Sequence, residues 1–251
     1  MSHLLDLDHI TVRFGGLKAV DDVSIRVKAG ERRAIIGPNG AGKTTLFNVM
    51  TGVVRAASGT ISFDGANVTG EPVHKRAARG MSRTFQITNL FPRLTVEENM
   101  RLALRGLSPR KFSLFDSGAL TPDEEARAHR ALSLSRLQER RGAQVREMSY
   151  GEQRQLEMAM ALAAEPKLLL LDEPAAGLSP AERVIVADVI RSLPRELTLV
   201  LIEHDMDLVL QLVDYVTVLN NGKLLVEAPP GEIRDNPDVQ DVYLGKARAH
   251  A

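Results

Sequence analysis

Three short stretches of the chain carry residue types that can do phosphate chemistry. Gly37, Pro38, Asn39, Gly40, Ala41, Gly42, Lys43 and Thr44, followed by Thr45, fit the spacing GxxxxGK[ST]. In such a loop successive backbone N–H groups, backed by the N-terminus of the following helix, cradle phosphate oxygens. The spacing directs Lys43 to the β/γ-phosphates and the Thr44 hydroxyl to Mg²⁺. Asp172 and Glu173 close the apolar run Leu168 to Leu171, and ligand sites in parallel α/β sheets gather at the carboxyl ends of strands. Asp172 is therefore expected to hold Mg²⁺ through its water shell, and Glu173 to polarise an attacking water as general base. Ser149 and Gly151 open a third stretch, where a hydroxyl and a small residue at a helix start suit an anion. The Lys43 loop already has its own helix, so the Ser149 helix is expected to contact ATP presented by a partner molecule.

The elements that must position these residues alternate in type. Val23, Ile25 and Val27 alternate with polar residues, and residues 4–28 read as two strands around Gly15 and Gly16. Ala34 to Ile36 is a short buried strand feeding the glycine-rich loop, and Leu46, Phe47, Val49 and Met50 recur at helical spacing. A further β element is expected at Thr60 to Phe63. Thr95 with Glu98 has capping-box spacing, and Thr121 with Pro122 starts another helix; residues 106–118 between them read as a loop. In the Ser149 helix, Leu156, Ala159, Met160 and Ala163 form one apolar face. Leu168 to Leu171, Leu199 to Ile202 and Val216 to Leu219 read as parallel strands covered on both faces. Lys75, Arg76, Arg79 and Arg83 are expected on a solvated helix face.

Composition narrows the chemistry. The 251 residues are 44% hydrophobic and 25% charged, enough for a sizeable core. Lys plus Arg equals Asp plus Glu at 32 each, and with 4% aromatics and no tryptophan nothing favours nucleic acid. The absence of cysteine excludes disulfides and thiol chemistry. Met1 to His9 predicts no signal peptide, and no apolar run approaches the roughly 18 residues of a membrane span. Work at a membrane then requires another chain as anchor.

Read in order, the motifs resemble the nucleotide-binding subunits of ABC transporters nearly from end to end. The resemblance implies an α/β fold: a P-loop NTPase (RecA-like) core with an N-terminal antiparallel β subdomain and an inserted α-helical subdomain. It implies a single ABC ATPase domain over 1–251, with lobes 1–85 and 165–251 forming the core and β subdomain and 86–164 the α-helical signature subdomain. Phe14 matches the aromatic that stacks on adenine, and Gln86 the glutamine that links Mg²⁺ and attacking water to the membrane subunit. Ser149 to Gln153 matches the signature, Ala176 to Ser179 the D-loop, and His204 the switch histidine at the γ-phosphate. His9, His74 and His129 match no motif. The implied catalytic set is Glu173, His204, Gln86 and Lys43, with ATP and Mg²⁺ as cofactors and Thr44, Gln86 and Asp172 around the metal.

Two departures from the family pattern stand out. Tyr150 and Glu152 occupy signature positions where glycine and glutamine are common, so Glu152 brings a carboxylate close to a phosphate site. Gly177 and Ser179 replace the usual alanine and aspartate of the D-loop, which puts that aspartate's cross-dimer contact in doubt. Phe14 to Leu17, Arg83 to Phe91, Met148 to Arg154 and Asn236 to Gly245 resemble the branched-chain amino-acid importers. The resemblance implies a second ATPase subunit, identical or paralogous, integral membrane permease subunits and a solute-binding protein. It also implies a peripheral place at the cytoplasmic face of a bacterial or archaeal membrane. Importers of urea, amides or aromatic acids and the lipopolysaccharide-export ATPase are the alternatives within the family. A soluble ABC protein of translation or DNA repair, which usually carries two cassettes, and a P-loop kinase, which lacks the signature, fit less well.

Overall fold

The computed structural model describes residues 3–84, 90–107 and 119–248, which belong to two compact units. The first comprises Met1–Arg79, Leu170–Glu173 and Arg195–Ala251. Its smaller sheet begins with the antiparallel pair β1 (His3–Phe14) and β2 (Leu17–Lys28). β4 (Ser58–Phe63) pairs with the other side of β1, and β5 (Ala66–Asn67) follows, giving the order β2-β1-β4-β5. Val20, Val23, Ile25 and Val27 of β2 are buried while their neighbours face outward, as a one-sided antiparallel sheet requires.

In the larger sheet β3 (Arg32–Ile36) lies between β8 (Thr198–Ile202) and β9 (Tyr215–Asn220), parallel to both. β7 (Leu168–Asp172) follows β8, and β10 (Lys223–Ala228) pairs antiparallel with β9 through a turn at Asn221 and Gly222. Every residue of β3, β7 and β8 is buried, the pattern of strands covered on both faces. The Glu173 amide donates to the Ile202 carbonyl at 3.0 Å, so the ends of β7 and β8 share one edge of the sheet. α1 (Lys43–Thr51) leaves that edge with Leu46, Phe47, Val49 and Met50 buried. α7 (Met206–Leu212), α8 (Pro230–Arg234) and α9 (Pro237–Arg248) complete the unit together with α2 (Val73–Ala78).

α2 corrects one expectation. Lys75 and Arg79 are exposed, but Arg76 is 2% exposed. Its guanidinium donates to the carbonyls of Val49 and Met50, each at 2.6 Å, and to those of Glu71 and Thr69 at 3.0 and 3.1 Å. The last carbonyls of a helix lack intrahelical partners and carry its negative end, so a five-donor cation fits there. Arg76 thus caps α1 from a neighbouring element.

The second unit comprises Gly80–Leu169 and Pro174–Pro194. It holds the short β6 (Met81–Arg83) and the helices α3 (Val96–Leu107), α4 (Pro122–Leu134), α5 (Tyr150–Leu162) and α6 (Pro180–Ser192). Arg83 is half-buried. Thr95 exchanges hydrogen bonds with Glu98, so the capping box forms where the spacing predicts it, and the helix expected to start at Thr121 and Pro122 is closed by a further box between Thr121 and Glu124. Of the expected loop, 108–118 lies outside the described residues. α5 contacts α3, α4 and α6, which explains a second difference. Met158, Ala161 and Leu162 are buried alongside Leu156, Ala159 and Ala163, whereas Met160 is half-buried. A helix packed on several sides has no single apolar stripe.

Candidate active site

The turn from β3 into α1 is built around glycines that no other residue can replace without movement. Gly37 has φ 147°, and a Cβ there would lie 2.2 Å from the Leu219 carbonyl oxygen of β9. Gly42, at φ 101°, would bring a Cβ within 2.5 Å of the Ala19 oxygen of β2. Both sheets therefore press on the loop and hold its path. α1 starts at Gly42 with no side-chain cap, so its first N–H groups face outward along the helix axis. Lys43 folds back over the loop, and its Nζ donates to the carbonyls of Gly37 at 2.7 Å and Pro38 at 3.0 Å.

A cavity of about 600 Å³ opens over this turn. Asn39, Gly40, Ala41, Gly42, Lys43, Thr44 and Thr45 form its floor, with Glu173 and His204 on one wall. Phe14 and Leu17, at the β1–β2 turn, line the cavity while remaining 52% and 67% exposed, an apolar rim beside a polar floor. The volume lies in the range of small-molecule sites.

Glu173 stands just past β7 with φ 49°, left-handed for a residue that has a Cβ. Such backbone persists only where the surroundings impose it and clusters at functional positions. The bond from its amide to Ile202 supplies that constraint. His204 follows β8 by two residues; its Nε2 is 2.6 Å from Glu173 Oε1, and its amide donates to Glu203 Oε2 at 3.0 Å. Asp172, the last residue of β7, is 2% exposed. Gln86 falls outside the described residues.

Tyr243 of α9 was not singled out from the sequence. Burial pushes its phenol up to about 12, while the Gly37 amide N–H acts in the opposite sense, which puts the hydroxyl beside the start of the glycine-rich loop. An aromatic in an amphipathic tail helix gives no sequence signal for such a contact.

In the second unit, Ser149 caps α5 in a full capping box: its Oγ accepts from the Glu152 amide at 3.2 Å and Glu152 Oε2 accepts from the Ser149 amide at 2.9 Å. The other Glu152 oxygen pairs with Arg140 Nε at 2.9 Å. The carboxylate expected beside a phosphate site is therefore engaged by its own helix start and by an arginine. Tyr150 accepts from Arg154 at 2.6 Å, and the Arg154 guanidinium lies 5.0 Å from its ring centroid. Gly177, at φ 75°, would place a Cβ 3.2 Å from Tyr150 Cε1. Ser179 caps α6 in a second capping box with Glu182, so its hydroxyl is held within its own chain.

Residues 20–176 match the family model for ABC transporters. The chain belongs to the ABC transporter ATP-binding family. Residues 223–249, which include β10, α8 and α9, also match the model of the branched-chain amino acid ATP-binding cassette transporter. The chain is 41% identical to the high-affinity branched-chain amino acid transport ATP-binding protein BraF of Pseudomonas aeruginosa, over 97% of this chain and 98% of that protein. It is 40% identical to LivG of Escherichia coli over the same shares. Among solved structures, an ABC transporter cassette in its ADP conformation superposes with a TM-score of 0.85 at 29% identity, covering 98% of this chain and 100% of that one.

ABC cassettes bind nucleotide, and the cavity over the Lys43 loop has the floor and rim for one. The donors fit a hard divalent cation as well. Thr44 offers a hydroxyl and Asp172 a carboxylate, and Mg²⁺ is held by one or two such oxygens together with substrate phosphates. Among the described residues no group of three or more His, Asp or Glu could hold a metal alone. In this ABC ATPase no described helix is long and apolar enough to cross a membrane.

Proposed function

We propose that this chain is the ATP-hydrolysing subunit of an ABC importer for branched-chain amino acids, working against a second ATPase subunit and attached to separate membrane permeases. The observation that carries the catalytic part is the Glu173–His204 contact of 2.6 Å in the same cavity as Lys43 and Thr44. The end-to-end similarity to BraF and LivG supports the solute class.

In this reading Phe14 supports the adenine and residues 37–45 hold the phosphates, with loop amides and Lys43 matching the β/γ oxygens. Thr44, Asp172 through water, and Gln86 would hold Mg²⁺, which would supply charge neutralisation on the transferred phosphoryl group. Glu173 orients a water and takes its proton as the oxygen bonds to the γ-phosphorus and the bond to the bridging oxygen breaks. His204 holds the Glu173 carboxylate in place and contacts the γ-phosphate. Ser149 and Gly151 serve the ATP of the partner subunit, so two chains make each site and closure gates the permeases. A periplasmic or external solute-binding protein delivers the amino acid, and the ATPase touches none of it.

Two measurements test this. Co-purification from membranes followed by ATP-dependent uptake of labelled leucine into vesicles should depend on this subunit; uptake of urea or an aromatic acid instead would move the solute assignment. Mixing a Lys43→Ala protein with a Ser149→Arg protein, each inactive alone, should restore hydrolysis through one intact composite site. No restoration would remove the shared-site mechanism.

A further inference from the structure

Gly151 sits at the second position of α5, and its N–H is donated to a side chain of α6. Glu182 Oε1 accepts it at 3.0 Å. The other oxygen, Oε2, accepts from the Ser179 amide at 3.0 Å and from the Ser179 hydroxyl at 2.7 Å. The approach is close enough to require a glycine: a Cβ on Gly151 would lie 2.9 Å from Cγ and Oε1 of Glu182 and 3.0 Å from its Cβ. The Ser179 hydroxyl, then the Ser179 and Gly151 amides and the Ser149 hydroxyl, hold the Glu182 carboxyl down to about 2, so it is an anion at neutral pH. Glu152, by contrast, is turned to its own N-cap and to Arg140.

The Ser149 cap takes the Glu152 amide and leaves that of Gly151, and such a first-turn helix amide beside a serine hydroxyl draws negative charge. In the single chain that charge is Glu182. We propose that Glu182 is a built-in anion that occupies the Ser149–Gly151 donors until a partner's γ-phosphate takes them, so that ATP-driven pairing must move Glu182 off Gly151. This rests on the reading that Ser149 and Gly151 face the partner's ATP. Two anions cannot share one N–H, and their repulsion makes the exchange all-or-none. Because Glu182 also completes the cap of Ser179, its departure loosens the start of α6 and the turn from Ala176 to Ser179 before it. Tyr150 packed on Gly177 belongs to the same assembly. Glu182 is thus a positioning residue that makes the signature and the D-loop turn one switch.

The test uses a Glu173→Gln background, in which ATP pairs subunits without turnover, with the chain itself or with its co-expressed second ATPase subunit. Glu182→Gln keeps the size and an accepting oxygen and removes the charge. The ATP concentration for half-maximal pairing, read by light scattering, should fall roughly three- to tenfold, while ATP affinity of the unpaired chain stays constant. Glu182→Asp, which still reaches Ser179 but withdraws from Gly151, should lower the midpoint too and keeps the question open to measurement if the glutamine variant folds poorly. A changed melting temperature with an unmoved midpoint in both variants would leave Glu182 as a helix cap and overturn the proposal. Ser149→Arg separates the layers. Loss of pairing in that variant beside an unmoved Glu182→Gln midpoint overturns only the role of Glu182, whereas normal pairing in Ser149→Arg overturns the shared-site reading with it.

Discussion

His204 Nε2 and Glu173 Oε1 lie 2.6 Å apart, joining residues that follow two different strands of the larger sheet. Glu173 is held in a left-handed backbone at φ 49°, and its amide is tied to Ile202, so the imidazole meets a carboxylate whose place is already set. Both groups face the cavity floored by Lys43 and Thr44. A general base needs this orientation before its basicity matters.

Glu173→Gln should lower kcat by roughly 100-fold or more, the range of a lost general base, with ATP affinity retained. In the proposed mechanism His204→Ala removes the group that orients the base rather than the base, so kcat should fall by roughly tenfold to 100-fold. Single-turnover hydrolysis with calorimetric ATP binding checks both. Turnover near the parent value in Glu173→Gln would take the base away from Glu173.

The glycine-rich loop gives a graded pair. Gly37→Ala puts a methyl 2.2 Å from the Leu219 oxygen, so β9 or the loop must shift. Gly40 has φ 81° but no atom within 4 Å of the added methyl, leaving backbone strain alone. Gly40→Ala should cost about 1 kcal/mol of stability. Gly37→Ala should cost roughly 2–3 kcal/mol and weaken ATP binding more. Equal losses in urea melts would contradict the packing at Leu219.

Some of this was legible in the residues and some was not, for physical reasons. A phosphate loop needs its glycines, lysine and hydroxyl at fixed spacing, so Lys43 and Thr44 announce themselves, and the apolar run Leu168 to Leu171 closed by Asp172 and Glu173 announces a buried strand. The contact of Glu173 with His204 joins residues 31 apart through strand order, which local pattern does not encode. Arg76 misled because a cation in a short polar helix reads as solvated, and only the nearby end of α1 makes burial favourable. Glu152 and Glu182 both stand three residues after a capping serine and look alike on paper. Tertiary packing sends one to Arg140 and the other to Gly151.

Arg76→Ala should destabilise the protein by roughly 3 kcal/mol, because it strands carbonyls that a buried cation had satisfied. Arg76→Lys should recover only part of this, since one ammonium cannot span the carbonyls of Val49, Met50, Glu71 and Thr69. Urea midpoints with unchanged slopes would report the loss, and midpoints equal to the parent's would refute the capping role.

Acid unfolding should carry the signature of Glu182. Its folded carboxyl is held at about 2 against an ordinary value of 4.5, first by the Ser179 hydroxyl and then by the amides of Ser179 and Gly151. A depressed carboxyl stabilises the folded state fully above its unfolded value and ceases to do so as pH falls through its folded value. The parent protein should therefore exceed Glu182→Gln in melting temperature by a constant margin above about pH 5. That margin should shrink as pH falls from 4.5 toward 2, where the parent's carboxyl finally takes up its proton. Melting curves of the two proteins across that window decide the matter, and a margin that stays constant to pH 2 would mean that the Ser179 and Gly151 donors do not favour the charged form.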